Sequence, residues 1–301
     1  MSEAVKQDMR PGADYAYNTP LEDLDPSNAL MWPNEEFWPV FERLRDEAPL
    51  HWCKEAWQSE DRSNDAPPIG PYWSVTRYED IMAIDTDHKR FSSEPSIVLP
   101  NQSEDFQLPM FIAMDQPKHD VQRKTVAPAV SPQSLAQMST LIRERTISVL
   151  DSLPINEEFD WVDKVSIELT TMMLATLFDF PFEDRRKLTR WSDVATAGPE
   201  TGLVESEEQR RAELYECLEY FTRLWNERVN AEPSFDLISM LAHGEETRNM
   251  DPLEYLGNLI LLIVGGNDTT RNSMSASIYA TNLFPSEWDK MKQNVERIVR
   301  L

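Results

Sequence analysis

The feature that most constrains the fold is a long apolar segment late in the sequence, from Asp251 to Leu283. Asp251 is a good N-cap, Pro252 suits the first helical position, and Glu254 is placed to close a capping box. Apolar side chains between Leu256 and Val264 cover every face of such a helix, which is the pattern of a buried helix. At 1.5 Å per residue it would run about 50 Å, enough to cross a domain. We therefore predict a long, buried central helix.

A polar interruption, GGNDTT, lies in the middle of this helix at Gly265 to Thr270. Each glycine costs roughly 1 kcal/mol relative to alanine in a helix interior, and a buried Asp268 is costly unless it is paired. Thr269 can donate a hydrogen bond to a carbonyl one turn earlier, which loosens or bends a helix. Two interpretations stay open. One is a groove in which an acid and an alcohol deliver protons to a bound reactant; the other is a close helix crossing at the glycines, with Asp268 salt-bridged and Thr269 packed.

The rest of the chain predicts a mainly α fold with a small β-sheet. Only eight glycines are present, and the strand-like segments lie in the first third. We expect a flexible N-terminal lead over residues 1–33 and one domain over residues 34–301. In chain order the expected elements are a helix from Asn34, strands Leu50 to Cys53 and Tyr72 to Val75, a short helix from Tyr78 to Thr86, a loop over residues 92–113, and helices almost to the end.

Composition excludes several classes of protein. Lys and Arg total 29 against 53 Asp and Glu, so the net charge of −24 argues against nucleic acid as a partner. Two cysteines are too few for a disulfide scaffold. The longest apolar run is too short to span a membrane, and the first twenty residues lack a secretory apolar stretch. We expect a cytoplasmic protein with no membrane span.

The string GGNDTTRNSM, Gly265 to Met274, resembles the oxygen-binding central helix of the cytochrome P450 family. Within that family it is similar to the bacterial branch that hydroxylates alkanes and fatty acids at the chain end. The order of the expected elements agrees with this resemblance from about residue 34 onward. The resemblance implies a cytochrome P450-like fold, of which this chain supplies the N-terminal and central part.

A second motif, MDQPKHDVQR, covers Met114 to Arg123. His119 and Arg123 lie four residues apart, on one face of a helix that Pro117 would begin. Two cations near a helix N-terminus are poorly placed against its dipole, so an anion facing them would help. The motif resembles the family's haem-propionate helix. The alternative is a solvated pair, with Asp115 near His119 and Asp120 near Lys124.

The resemblance also assigns roles to residues. It implies haem b with its iron as cofactor, O₂ as co-substrate, and electrons from NAD(P)H through a separate ferredoxin and ferredoxin reductase. Thr269 would hydrogen-bond the oxygen reactant, Asp268 would relay protons, and Gly265 and Gly266 would leave room for O₂ and haem. The substrate would be an apolar small molecule such as an alkane, a fatty acid or a terpenoid-like compound. Its expected contacts, which ordinary core packing also explains, are Leu261, Val264, Ile97, Val98, Leu99 and Ile112.

The iron ligand of the family is missing from this sequence. Members carry a Glu-x-x-Arg helix and a Cys-x-Gly loop after the central helix, and neither pattern follows Thr270 in this sequence. Cys53 lies in a predicted strand, and Cys217 lies in the apolar stripe of a predicted helix, where a cysteine is usually a small buried hydrophobe. We therefore expect no metal ligand in this chain and a truncated, inactive monooxygenase. A non-catalytic truncated product and an unrelated all-α interaction protein are the alternatives.

Overall fold

The computed structural model describes residues 10–28, 31–32, 35–55, 70–99, 105–198 and 201–294. They form two compact units, the first built from Met1–Phe106 with Ala113–Asp115 and the second from Gln107–Ile112 with Gln116–Leu301. The described residues are mainly helical, with one two-stranded sheet, which confirms the predicted fold class. The predicted boundary at residue 33 falls inside the first of these units.

In its described residues, the first unit contains three α-helices and the sheet. The pairing is antiparallel, with Leu50 opposite Val75 and Cys53 opposite Tyr72, so the two predicted strands are confirmed. Much of the connection between them lies outside the described residues. The elements are α1 (Ala13–Asn18), a 3₁₀ turn (Leu21–Asp23), α2 (Phe37–Glu47), β1 (Leu50–Cys53), β2 (Tyr72–Val75) and α3 (Tyr78–Asp85).

The N-terminal lead is not loose over its described residues. Ala16, Leu24 and Met31 form a buried cluster with Val40 and Leu44 of α2. The described part of the predicted lead, residues 10–28 and 31–32, therefore contributes to the packing of the first unit, and the rest of the lead lies outside the described residues. Helix α1 has six residues, which is too short to show a hydrophobic period in the sequence.

The second unit is helical in its described part. The predicted apolar stripe around Cys217 is confirmed, since Leu214, Cys217, Phe221 and Leu224 are buried on one face of α8. A π-helical segment leads into α6. The helices are α4 (Lys118–Val126), α5 (Pro132–Asp151), the π segment (Val162–Ile167), α6 (Glu168–Phe178), α7 (Arg186–Thr196), α8 (Glu207–Val229), α9 (Leu237–His243), α10 (Pro252–Leu283) and α11 (Pro285–Gln293), and the 3₁₀ turns are Phe111–Ala113, Ala127–Val130 and Phe182–Asp184.

The central helix α10 begins as predicted. The Asp251 carboxylate accepts a hydrogen bond from the Leu253 amide at 2.9 Å, and Pro252 occupies the first turn. The expected capping box does not form. The Glu254 carboxylate instead accepts hydrogen bonds from Gln122 and Lys118 of α4, because two donors on a neighbouring helix compete with the helix's own amide.

Burial along α10 differs from the expectation of a buried rod. Tyr255–Ile260 and Ile263 are buried, whereas Gly265, Thr269 and Thr270 are exposed. The all-round apolar pattern ends at Val264, and the following small and polar residues leave one face of the second half open. The helix nevertheless runs unbroken through the interruption. Within the described parts of the chain, no helix has the length and apolar character needed to cross a bilayer.

Candidate active site

The two adjacent glycines of α10 face different surroundings. A Cβ atom on Gly266 would lie 2.7 Å from Leu174 Cδ2 of α6, so its missing side chain permits a close helix crossing. A Cβ atom on Gly265 would meet no atom within 4 Å, and Gly265 is exposed. The helix-crossing interpretation therefore accounts for Gly266, while Gly265 leaves open space beside the backbone.

Thr269 lies on the same open face, one turn after Gly265. Its hydroxyl donates to the Gly265 carbonyl at 3.0 Å, which is the backbone hydrogen bond that the sequence predicts. Ser273, one further turn along, donates to the Thr269 carbonyl at 2.8 Å. The open face thus carries an exposed hydroxyl next to a glycine, with room for a flat group against the helix.

Asp268 is partly buried and paired. Its carboxylate accepts a hydrogen bond from the Arg271 guanidinium, whose other terminal nitrogen lies 2.9 Å from Asp193 Oδ1 of α7. One arginine therefore holds two carboxylates, one on each helix. This pairing supplies the counter-charge that a partly buried Asp268 needs.

Asn267 points to the opposite side and is fully buried. Its Oδ1 accepts a hydrogen bond from the Thr170 hydroxyl of α6 at 2.9 Å. With the contact between Gly266 and Leu174, this bond fixes the middle of α10 against α6. The motif therefore divides into a packed side and an open side.

His119 and Arg123 lie one turn apart on α4, as predicted. His119 Nδ1 donates to the Phe111 carbonyl at 2.7 Å. Arg123 is exposed, and its side chain has neither an ion pair nor a hydrogen bond among the described residues. The alternative pairing does not form, because Asp120 accepts from Gln116 at 2.8 Å and Asp115 accepts from Ser92 at 2.6 Å. The Arg123 guanidinium and one nitrogen of His119 remain available to an anion.

A buried polar network that sequence reasoning missed connects α4 to α10. Asn258 Oδ1 accepts from the Phe111 amide at 2.8 Å, and Asn258 Nδ2 donates to Gln122 Oε1 at 3.0 Å. Gln122 Nε2 donates to Glu254 at 2.5 Å, and Lys118 pairs with the same carboxylate at 2.9 Å. The sequence signal was a single amide, Asn258, inside an otherwise apolar stretch.

The predicted substrate contacts are distributed over both units. Leu261 and Val264 are partly buried on α10, one turn apart and just before Gly265. In the same unit the segment 107–112 lies against α10, where a Cβ atom on Gly257 would be 2.1 Å from the Pro109 carbonyl oxygen. Ile112 ends that segment and is exposed. In the first unit Ile97, Val98 and Leu99 are exposed, and residues 100–104 of the predicted loop lie outside the described residues.

Both cysteines are buried free thiols. Cys217 lies in the apolar stripe of α8, and burial raises its pKa well above the ordinary value. Burial also raises the pKa of Cys53 in β1. Because a metal ligand must be the thiolate, neither environment suits one. His51 and His243 contact backbone carbonyls, at 2.9 Å to Leu24 and 2.9 Å to Ser239 respectively.

Known proteins provide close comparisons, although no family model matches the chain. Linalool 8-monooxygenase of Pseudomonas putida is 30% identical over 92% of this chain. The solved structure of cytochrome P450-153 from Novosphingobium aromaticivorans is 42% identical over 90% of the chain, with a TM-score of 0.77. CYP153D17 from Sphingomonas sp. PAMC 26605 is 46% identical over 90% of the chain, with a TM-score of 0.75. The chain spans 68% of the length of the first relative and 66% of each solved chain.

Proposed function

Because the chain belongs to the cytochrome P450 family, we propose that it forms the oxygen-side part of a haem-dependent monooxygenase. The reaction would insert one atom of O₂ into a C–H bond of an apolar substrate, with two electrons supplied from outside. The observation that carries this proposal is the open face of α10, where the space beside Gly265 adjoins the exposed hydroxyl of Thr269.

The residues present suit two parts of a haem, its anionic propionates and its flat macrocycle. Arg123 and the second nitrogen of His119 would bind the propionates, since both lack partners among the described residues and one is a fixed cation. Gly265 would let the flat macrocycle and O₂ approach the backbone. Haem, when bound, supplies the activation of O₂. We assign Gly266 to helix packing, because Leu174 occupies the space beside it.

Thr269 and Asp268 would move protons. The Thr269 hydroxyl donates to the Gly265 carbonyl of its own helix. If it gives up this bond, its hydrogen would be free to donate to a reactant in the space beside Gly265. Asp268 is one residue away and contacts Arg271, so it would relay protons that it first takes up from solvent. A positioned acid of this kind contributes typically 10²–10⁴-fold to the rate of a proton transfer.

Apolar residues next to this face favour an apolar substrate. Leu261 and Val264 precede Gly265 on α10, and Ile112 ends the segment that lies against the same helix. We propose these three as substrate contacts, and the same role for Ile97, Val98 and Leu99 stays a prediction from the sequence. The resemblance of the Gly265–Met274 string favours an alkane or fatty acid hydroxylated at the chain end, and the linalool-oxidising relative favours a terpenoid-like compound.

The axial thiolate and the electrons would come from elsewhere. Neither Cys53 nor Cys217 suits iron ligation, so we expect the 301-residue chain alone to be inactive. We propose that electrons from NAD(P)H arrive through a ferredoxin and its reductase.

Haem titration of purified protein tests the proposal. The double variant His119→Gln and Arg123→Gln should weaken haem binding by about tenfold or more, because each contact is a charge-assisted hydrogen bond. Lys124→Gln is the matched control, since it removes a neighbouring exposed cation of α4 and should change affinity less than about twofold.

A second titration uses a fusion, called the joined protein below, of this chain with the part of the Novosphingobium aromaticivorans relative that follows the matched region. That protein should bind haem and hydroxylate an alkane, fatty acid or monoterpene when it is reduced. Absence of haem binding by the joined protein would overturn the proposed function. Equal haem affinity of the double variant and the control would overturn the assignment of the propionate ligands.

A further inference from the structure

The backbone of Phe111 is held on both sides. Its amide donates to Asn258 Oδ1 of α10 at 2.8 Å, and its carbonyl accepts from His119 Nδ1 of α4 at 2.7 Å. The Phe111 ring also lies edge-to-face against the His119 imidazole, with centroids 6.2 Å apart. Phe111 therefore links Asn258 of α10 to His119 of α4 through two hydrogen bonds of its backbone.

The Glu254 carboxylate, at one end of the network, decides which group donates and which accepts in each of its hydrogen bonds. The Glu254 carboxylate only accepts, so Gln122 presents its amide nitrogen there and its oxygen to Asn258. Asn258 must then turn its own nitrogen toward Gln122 and its oxygen toward the Phe111 amide. Asn258 and Gln122 are both buried, so water does not compete for these groups. The orientation of the Asn258 amide is fixed.

The last bond of the network determines which nitrogen His119 offers to an anion. The Phe111 carbonyl only accepts, so His119 Nδ1 carries the hydrogen. Nε2 is the remaining nitrogen, and among the described residues no partner contacts it. When the ring is protonated, Nε2–H donates to an anion while Nδ1–H keeps its bond to the carbonyl.

We propose that Asn258 is a positioning residue for the anion site on α4, because it fixes the Phe111 carbonyl that orients the His119 ring. The inference rests on the proposed function in one respect, namely that His119 is a haem-propionate ligand. Asn258 does not itself contact the anion in this arrangement. It acts through Phe111 and His119.

Nitrogen NMR of the His119 ring tests the orientation without haem. In the unchanged chain the neutral ring should carry its hydrogen on Nδ1. Asn258→Leu, which is similar in size and forms neither hydrogen bond, should give a mixture of the two tautomers. Thr170→Val is the matched control, because it removes a buried hydrogen bond to α10 at Asn267 and should leave the tautomer unchanged.

Haem affinity measured in a double-mutant cycle tests the coupling. Asn258→Leu should weaken haem binding by about three- to tenfold when His119 is present, and should have no further effect beside His119→Gln. If Asn258→Leu does not fold, Asn258→Ser removes the same amide with less apolar mismatch. A neutral ring protonated on Nε2 in the unchanged chain overturns the proposal, and so does a Leu or Ser variant that keeps the Nδ1–H form.

The two proposals fail separately. If His119→Gln leaves haem affinity unchanged, the assignment of His119 as a propionate ligand is wrong, whereas the tautomer measurement still reports on Asn258. If the tautomer changes and the two haem effects add independently, Asn258 orients the ring without serving the haem site, and the positioning proposal is overturned.

Discussion

At the scale of single residues, Gly265 and Gly266 are expected to respond in opposite ways to the same substitution. Alanine favours a helix interior over glycine by about 1 kcal/mol, and the space beside Gly265 is open. Gly265→Ala should therefore raise the free energy of unfolding by up to about 1 kcal/mol. Gly266→Ala should not, since its methyl would meet Leu174 at 2.7 Å and overpacking costs typically 1–3 kcal/mol. Urea unfolding of the two variants measures the difference.

Haem binding provides the functional counterpart of this prediction. The Gly265→Ala methyl enters the space that we assign to haem, so this more stable variant should bind haem more weakly than Gly266→Ala does. Equal haem affinity of the two variants would argue against haem lying beside Gly265.

The proposed role of Thr269 concerns its hydroxyl alone. In the joined protein, Thr269→Ala should raise the amount of hydrogen peroxide released per hydroxylated product several-fold, because the proton donor is lost while the open space remains. Thr269→Ser keeps the hydroxyl, which can still donate to the Gly265 carbonyl. Its ratio of peroxide to hydroxylated product should therefore stay close to that of the unchanged protein. A peroxide assay run beside product analysis measures the ratio, and an unchanged ratio in Thr269→Ala counts against the role.

At the scale of elements, the sequence predicted the strands and helices that have a regular hydrophobic period. It did not predict packing that depends on one particular neighbouring element. The strands β1 and β2 and the buried stripe of α8 follow hydrophobic periods, so their positions could be predicted. The packing of α1 against α2 could not, because a short helix shows no period and its fit depends on small side chains such as Ala16.

The candidate site shows the same limit. The motif around Asp268 and the spacing of His119 and Arg123 could be seen in the sequence. The bond from Asn258 to Phe111 joins residues 147 positions apart, and the bridge from Arg271 to Asp193 joins residues 78 positions apart. Such long-range contacts leave no local pattern, although an isolated buried amide indicates that one exists.

The ion pair between α7 and α8 gives a pH dependence at this scale. Arg190 donates two hydrogen bonds to Glu213, each 2.6 Å long, and this contact lowers the pKa of the Glu213 carboxyl. A lowered folded-state pKa stabilises the fold above the ordinary glutamate value of about 4.5, and the contribution disappears as pH falls through the lowered value. Arg190 stays protonated over this range.

Glu213→Gln should therefore reduce the free energy of unfolding at pH 7 by about 1 kcal/mol or less, the size of a partly exposed pair. The difference from the unchanged chain should shrink below pH 4.5 and vanish in stronger acid. Glu219→Gln, on the same helix and without an ion pair among the described residues, is the control and should show no such convergence. A difference that persists in strong acid would contradict the ion-pair origin.

At the scale of the whole molecule, exposed apolar groups lie on the elements that follow the candidate site. Tyr279 and Leu283 of α10, Phe284, and Trp288 and Met291 of α11 are all exposed. Exposed apolar side chains gathered on neighbouring elements favour an interaction site or association. The chain spans about two thirds of the length of the relatives it matches, and the joined protein adds the remaining part of one of them. We therefore expect the chain alone to bind an apolar dye more strongly than the joined protein does.

The last prediction concerns the iron ligand. With haem and carbon monoxide under reducing conditions, the chain alone should not give the red-shifted Soret band of a thiolate-ligated haem, because burial raises the pKa of both its thiols. The joined protein should give that band, and replacing the cysteine of its added Cys-x-Gly loop by serine should abolish it. Cys217→Ala in the joined protein should leave the band in place and lower stability only, as expected for a small buried side chain. A thiolate band from the chain alone would show that Cys53 or Cys217 ligates iron, which contradicts both their burial and their place in the fold.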